Sequence, residues 1–114
     1  MKIAGNKPIN GVNKDALSII KDRINDKFAV KLYALFGSVA RNEADAESDT
    51  DLLILTEKKL SHYERHEITD IVCDINLEYD TNFTTIVIDM DSWANGMISV
   101  LPFHDEVERD GIVI

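Results

Sequence analysis

Apolar residues recur along this chain at two different periods, and the switches between them mark out the elements. Leu17, Ile20, Ile24 and Phe28 fall three and four residues apart, the spacing of a helix that buries one stripe, with Asn13 placed to cap it. A first helix is predicted over about 14 to 27. Val30 to Phe36 is a short apolar run ended by Gly37, and Asp51 to Thr56 is a second, with aliphatic side chains on both faces, as in a central strand. Ser61 and Glu64 form a capping box ahead of Ile68, Ile71, Val72, Ile75 and Tyr79, which predicts a long helix over about 61 to 79. The β-branched run Phe83 to Ile88 reads as a third strand, and Asp91-Ser92 opens a short helix containing Trp93 and Met97. Pro102 at a first turn and Gly111 at a C-cap bound a last helix, after which Ile112 to Ile114 add an edge strand. The expected architecture is α/β, a small mixed sheet of three to four strands with helices packed on one face.

Bulk properties narrow this picture. A chain of 114 residues, 45% apolar and without repeats, suits one domain spanning 1–114, with 1–12 as a loose leader containing Gly5, Pro8 and Gly11. The formal charge of -9 gives no electrostatic footprint for duplex nucleic acid, although a compact anion neutralised by metal remains compatible. The single cysteine, Cys73, excludes an intrachain disulfide and reads as a buried, inert thiol in the long helix. No apolar run has the length of a signal segment or a membrane span, so the expectation is a cytoplasmic protein.

The chemistry concentrates in one stretch. Leu35-Phe36-Gly37-Ser38-Val39-Ala40-Arg41 is followed, seven residues later, by Asp49-Thr50-Asp51-Leu52. Gly37 has no side chain to keep a phosphate from the backbone, and Ser38 adds a hydroxyl donor. Asp49 and Asp51, two apart at the start of a strand, point to one face, and such a hard-oxygen pair suits Mg²⁺ or Mn²⁺. Arg41 is a candidate phosphate contact, with a structural ion pair as the competing reading.

Other residues read more plainly. Asp45, Glu47, Asp49 and Asp51 alternate as in a calcium loop, but Thr50 and Thr56 stand where that loop needs glycine and glutamate. His62 and His66 lack the zinc-protease glutamate and read as solvated, as do Lys58 and Lys59. Trp93 and Met97 read as core or partner contacts.

At Gly37-Ser38-x-Ala40-Arg41 and Ser48-Asp49-x-Asp51-Leu52 the sequence resembles the polymerase-β-like nucleotidyltransferase superfamily, in particular its small stand-alone members, the minimal nucleotidyltransferases. The resemblance covers residues 14 to 89 and, loosely, the rest of the chain. It implies metal-dependent transfer of a nucleoside monophosphate from an NTP, with ATP the first candidate, to a hydroxyl of a protein or small-molecule acceptor. Gly37, Ser38 and Arg41 would hold the nucleotide, while Asp49 and Asp51 would be catalytic and ligate the metal. Active members commonly carry a third carboxylate on the strand after the long helix, and here Thr84 stands in that place. Asp89 lies about 16 Å further along an extended strand and suits a helix cap, and Asp80 precedes the strand. That departure admits an alternative, a nucleotide-binding regulatory module that has lost turnover. Such a module would be the antitoxin-like partner of a helical HEPN-type protein, or would complete its acceptor surface as a homo-oligomer.

Overall fold

The computed structural model describes residues 1–3, 11–38, 40 and 49–114. Its elements are β1 (Lys2–Ile3), α1 (Lys14–Asn25), β2 (Val30–Phe36), β3 (Thr50–Thr56), α2 (His62–Tyr79), β4 (Phe83–Asp89), α3 (Met90–Asn95), a 3₁₀ turn (Met97–Val100), α4 (Pro102–Asp110) and β5 (Ile112–Val113). The five strands form one mixed sheet in the order β1-β5-β2-β3-β4. β2 runs antiparallel to β3, β3 parallel to β4, and β5 antiparallel to β2.

The helix starts follow from local chemistry. Asn13 Oδ1 accepts the Ala16 amide at 3.0 Å. The Ser61 hydroxyl and the Glu64 carboxylate satisfy each other's backbone amides at 3.1 and 3.0 Å, which pulls the Glu64 carboxyl below its ordinary range. Asp89 caps α3 by accepting from the Ser92 amide and hydroxyl at 2.9 and 2.8 Å, bonds that lower its pKa in the same way. Gly111 donates its amide to Val107 at the end of α4.

Helices cover both faces of the sheet, not one as the pattern suggested. Leu52 and Ile54 of β3 join Leu35 in a core with Ile20, Ile24, Ile68, Val72 and Ile75 from α1 and α2. The alternate residues Leu53 and Leu55 meet Ala34, Trp93 and Val107 on the opposite side, under α3 and α4. The both-face burial of β3 was readable, but α3 and α4 are too short for their periodicity to declare a destination.

Three further differences are local. The sheet has five strands because Lys2 and Ile3, placed in the expected leader, pair parallel with β5, so β5 is interior and β1 is the edge. Two-residue strands carry no alternation from which to find them. Met97 leaves the Trp93 helix for the 3₁₀ turn and is 86% exposed. Cys73 is exposed, not buried, because it lies off the Ile68, Val72 and Ile75 stripe.

On the α1/α2 side the Tyr33 hydroxyl donates to Asn25 at 2.8 Å, and burial beside Asp22 pushes its pKa to about 12. Among the described residues no helix is long and apolar enough to cross a membrane.

Candidate functional site

β2 and β3 place the two sequence motifs against each other. In the antiparallel register Phe36 pairs with Asp51, so the residue after Phe36 leaves the sheet beside the Asp51 side chain. That residue is Gly37, with φ +74°, in the left-handed region where side chains are strained. A Cβ built on it would collide with Asp51 Oδ2. Two independent reasons therefore require glycine there, the turn and the carboxylate. Ser38 continues the same turn and is half-buried.

Asp51 is the second residue of β3 and is half-buried, whereas Asp49 stands just before the strand and is exposed. Strand alternation turns the Asp51 carboxylate to one side of the sheet. For Asp51 it is the side of Leu53 and Leu55, the α3/α4 face. Phe36 shares that face and meets the Phe103 ring edge-on at 5.3 Å.

The parallel register with β4 pairs Asp51 with Thr84. The Thr84 hydroxyl donates to Asp51 Oδ1 at 2.7 Å. The position expected for a third acid therefore adjoins Asp51, and a hydroxyl donor fills it. The bond uses one of the roughly four acceptor sites of the carboxylate and fixes its orientation. Among the described residues there is no group of three or more His, Cys, Asp or Glu suited to a metal. Asp89 is at the far end of β4, opposite Thr56, and is occupied as the α3 cap. Asp80 is the left-handed C-cap of α2. The hydroxyl contact itself was not anticipated; the β3–β4 register carries it, and single-strand patterns do not report register.

The remaining candidates separate from this cluster. Arg41 lies outside the described residues, as do Asp45 and Glu47 of the calcium-loop reading. His62 and His66 are exposed on the first turns of α2, past the C-terminal end of β3, and His66 Nδ1 lies 3.4 Å from Asp70. Trp93 is buried and donates to Glu108 at 2.8 Å, which makes it a core residue. A cavity of about 130 Å³ at the C-terminal ends of β3 and β4 contains none of Gly37, Asp49 or Asp51. Gly37, Asp49 and Asp51 lie at the other end of those strands.

The donor types suit a hard divalent cation: two carboxylates at a strand end, one of them packed against a glycine whose missing side chain makes room for it. The family model "Polymerase beta, Nucleotidyltransferase" matches residues 19–97, a span that contains the Gly37 turn, both aspartates and Thr84. The chain belongs to this nucleotidyltransferase family. It is 31% identical over 106 residues to the "Putative protein adenylyltransferase MJ0141" of Methanocaldococcus jannaschii, an alignment covering 93% of this chain and 94% of that protein. It is 36% identical over 62 residues to "Putative protein adenylyltransferase MJ0128" of the same organism, covering 54% of this chain and 63% of the other. Among solved structures, a toxin–antitoxin with AMP-PNP superposes with a TM-score of 0.57 at 18% identity, over 88% of this chain and 70% of that one. A mutant of the toxin–antitoxin MntA–HpeT superposes at 0.55 and 17% identity, over 90% and 72%. At such identities these two superpositions establish the nucleotidyltransferase fold.

Proposed function

We propose that this protein binds a nucleoside triphosphate, ATP first among them, on the shelf formed by Gly37, Ser38, Asp49 and Asp51, and transfers its nucleoside monophosphate to a protein hydroxyl. The observation that supports this reading is the contact between the Gly37 turn and the Asp51 carboxylate, which brings the two sequence motifs together. The Gly37 backbone admits the triphosphate closely, Ser38 offers it a hydroxyl, and Asp49 and Asp51 would hold Mg²⁺ or Mn²⁺. The ion's contribution when bound is to neutralise phosphate charge. In the transfer, the acceptor oxygen bonds to the α-phosphorus, the bond to the bridging α–β oxygen breaks, and pyrophosphate leaves. The acceptor proton passes to water or to a carboxylate of the pair, since Thr84 offers no basic group. The names of the Methanocaldococcus relatives support adenylyl transfer and a protein acceptor.

The Thr84–Asp51 bond favours a second reading, a nucleotide-binding regulatory module in which transfer is slow or lost. The toxin–antitoxin fold neighbours support a role beside a helical HEPN-type partner under either reading. Transfer of label from α-labelled ATP to protein, with Mg²⁺ and cell extract, separates the two. Label dependent on Asp49 and Asp51 is expected for the enzyme. Nucleotide binding without any transfer would leave the regulatory reading in its place.

A further inference from the structure

The sheet ends on β4, and this edge lacks the usual protection against further pairing. β4 is seven residues long, contains no proline, and is uncharged from Phe83 to Ile88. Natural edge strands are commonly shortened, bulged or charged to prevent strand addition. The opposite edge, β1, has two residues.

The open positions on β4 can be identified. Asn82 turns its carbonyl toward β3, where it accepts the Thr50 amide at 2.9 Å. Phe83 turns the other way, and the Asn76 side chain of α2 meets it as a neighbouring strand would, accepting its amide at 2.9 Å and donating to its carbonyl at 3.0 Å. Backbone groups alternate sides along a strand, so Thr85 and Val87 also face outward. They have no partner on that side among the described residues. Asn76 thus closes the edge at Phe83 and leaves two residues open.

Those two residues are complementary to themselves. We infer that a second copy of this chain pairs along β4, antiparallel, about a two-fold axis at Ile86. Thr85 of each copy then exchanges both hydrogen bonds with Val87 of the other, and the pairing stops at Thr84 and Ile88, because Asn76 already fills the place opposite Phe83 and Asp89 ends the strand as the cap of α3. Ile86, 39% exposed on the α3/α4 side, faces its counterpart as a close non-hydrogen-bonded pair. The helix row beside Asn76, namely Thr69 and Cys73 seven and three residues earlier, is exposed and uncharged. In a chain of charge -9, β4 itself carries no carboxylate from Phe83 to Ile88. The same register sets Ile88 of the second copy opposite Thr84, the donor to Asp51. The inference goes beyond the nucleotide reading and stands independently of it.

Cross-linking tests the register without disturbing the fold. In a Cys73→Ser background, Ile86→Cys is expected to form a disulfide-linked dimer on mild oxidation, because Cα atoms of such a pair lie about 4.5 Å apart. Val87→Cys is expected not to, because its two copies lie roughly 8 Å apart, outside disulfide range. Light scattering of the unmodified chain should give twice 12.9 kDa, and Val87→Pro, which removes one outward amide, should give the single-chain mass. A monomer for the unmodified chain, or cross-linking through Val87→Cys in preference to Ile86→Cys, overturns the inference.

Discussion

The two faces of the sheet divide the work of this molecule. On the α1/α2 side, long helices bring Ile20, Ile24, Ile68, Val72 and Ile75 onto Leu35, Leu52 and Ile54, and the cover is nearly complete. On the α3/α4 side, a six-residue helix, a 3₁₀ turn and a nine-residue helix cover Ala34, Leu53 and Leu55 but not the strand ends, where Asp51 and Thr84 emerge half-buried and exposed. β3 serves both sides by simple alternation. On the proposed reading, carboxylates that meet metal and phosphate need water within reach. The lighter face supplies that access, and the heavier face supplies the apolar burial that holds β3 in place.

Several substitutions would break or sharpen this division. The largest effect is expected from Leu52→Ala, which should cost about 2–5 kcal/mol in urea unfolding while the folded protein keeps its affinity for Mg²⁺–nucleotide. Lost affinity at unchanged stability would erase the division. Next is Gly37→Ala, where left-handed backbone strain costs on the order of 1–3 kcal/mol. The new Cβ also displaces Asp51, so calorimetry should show nucleotide affinity falling at least about tenfold, about 1.4 kcal/mol.

Smaller still is Thr84→Val, which removes the donor to Asp51 Oδ1. A change of about 1 kcal/mol in Mg²⁺–nucleotide binding is expected, with the melting temperature little altered. The smallest effect lies on the acid limb. Glu64 and Asp89 have lowered pKa values in the folded state because they accept cap bonds at Ser61 and Ser92. Their stabilisation is complete above the ordinary carboxylate values near pH 4 and is lost as pH falls through the lowered ones. Glu64→Gln and Asp89→Asn should therefore flatten the loss of stability in acid titrations followed by circular dichroism.

Much of this is legible in the sequence. Asn13, the Ser61–Glu64 box and Asp89 declare helix starts through bonds made within three residues, so local sequence carries them in full. The burial of Leu52 to Leu55 on both faces likewise follows from composition on a central strand. What stayed hidden depends on partners distant in sequence. Lys2 and Ile3 are strand residues only because Ile112 and Val113 arrive beside them. At the site, the glycine and the aspartates were readable as types. That Gly37 abuts Asp51, and that Thr84 donates to it, depends on the register of three strands.

The account turns on Gly37, Asp49 and Asp51 forming one site for nucleotide and metal. Calorimetric titration of ATP into the protein, with and without Mg²⁺, against the Asp49→Asn/Asp51→Asn double variant, tests this most directly. Mg²⁺-dependent binding to the unmodified chain, lost in the double variant while its melting curve is retained, is the expected result. Identical titrations for the two proteins would contradict the account.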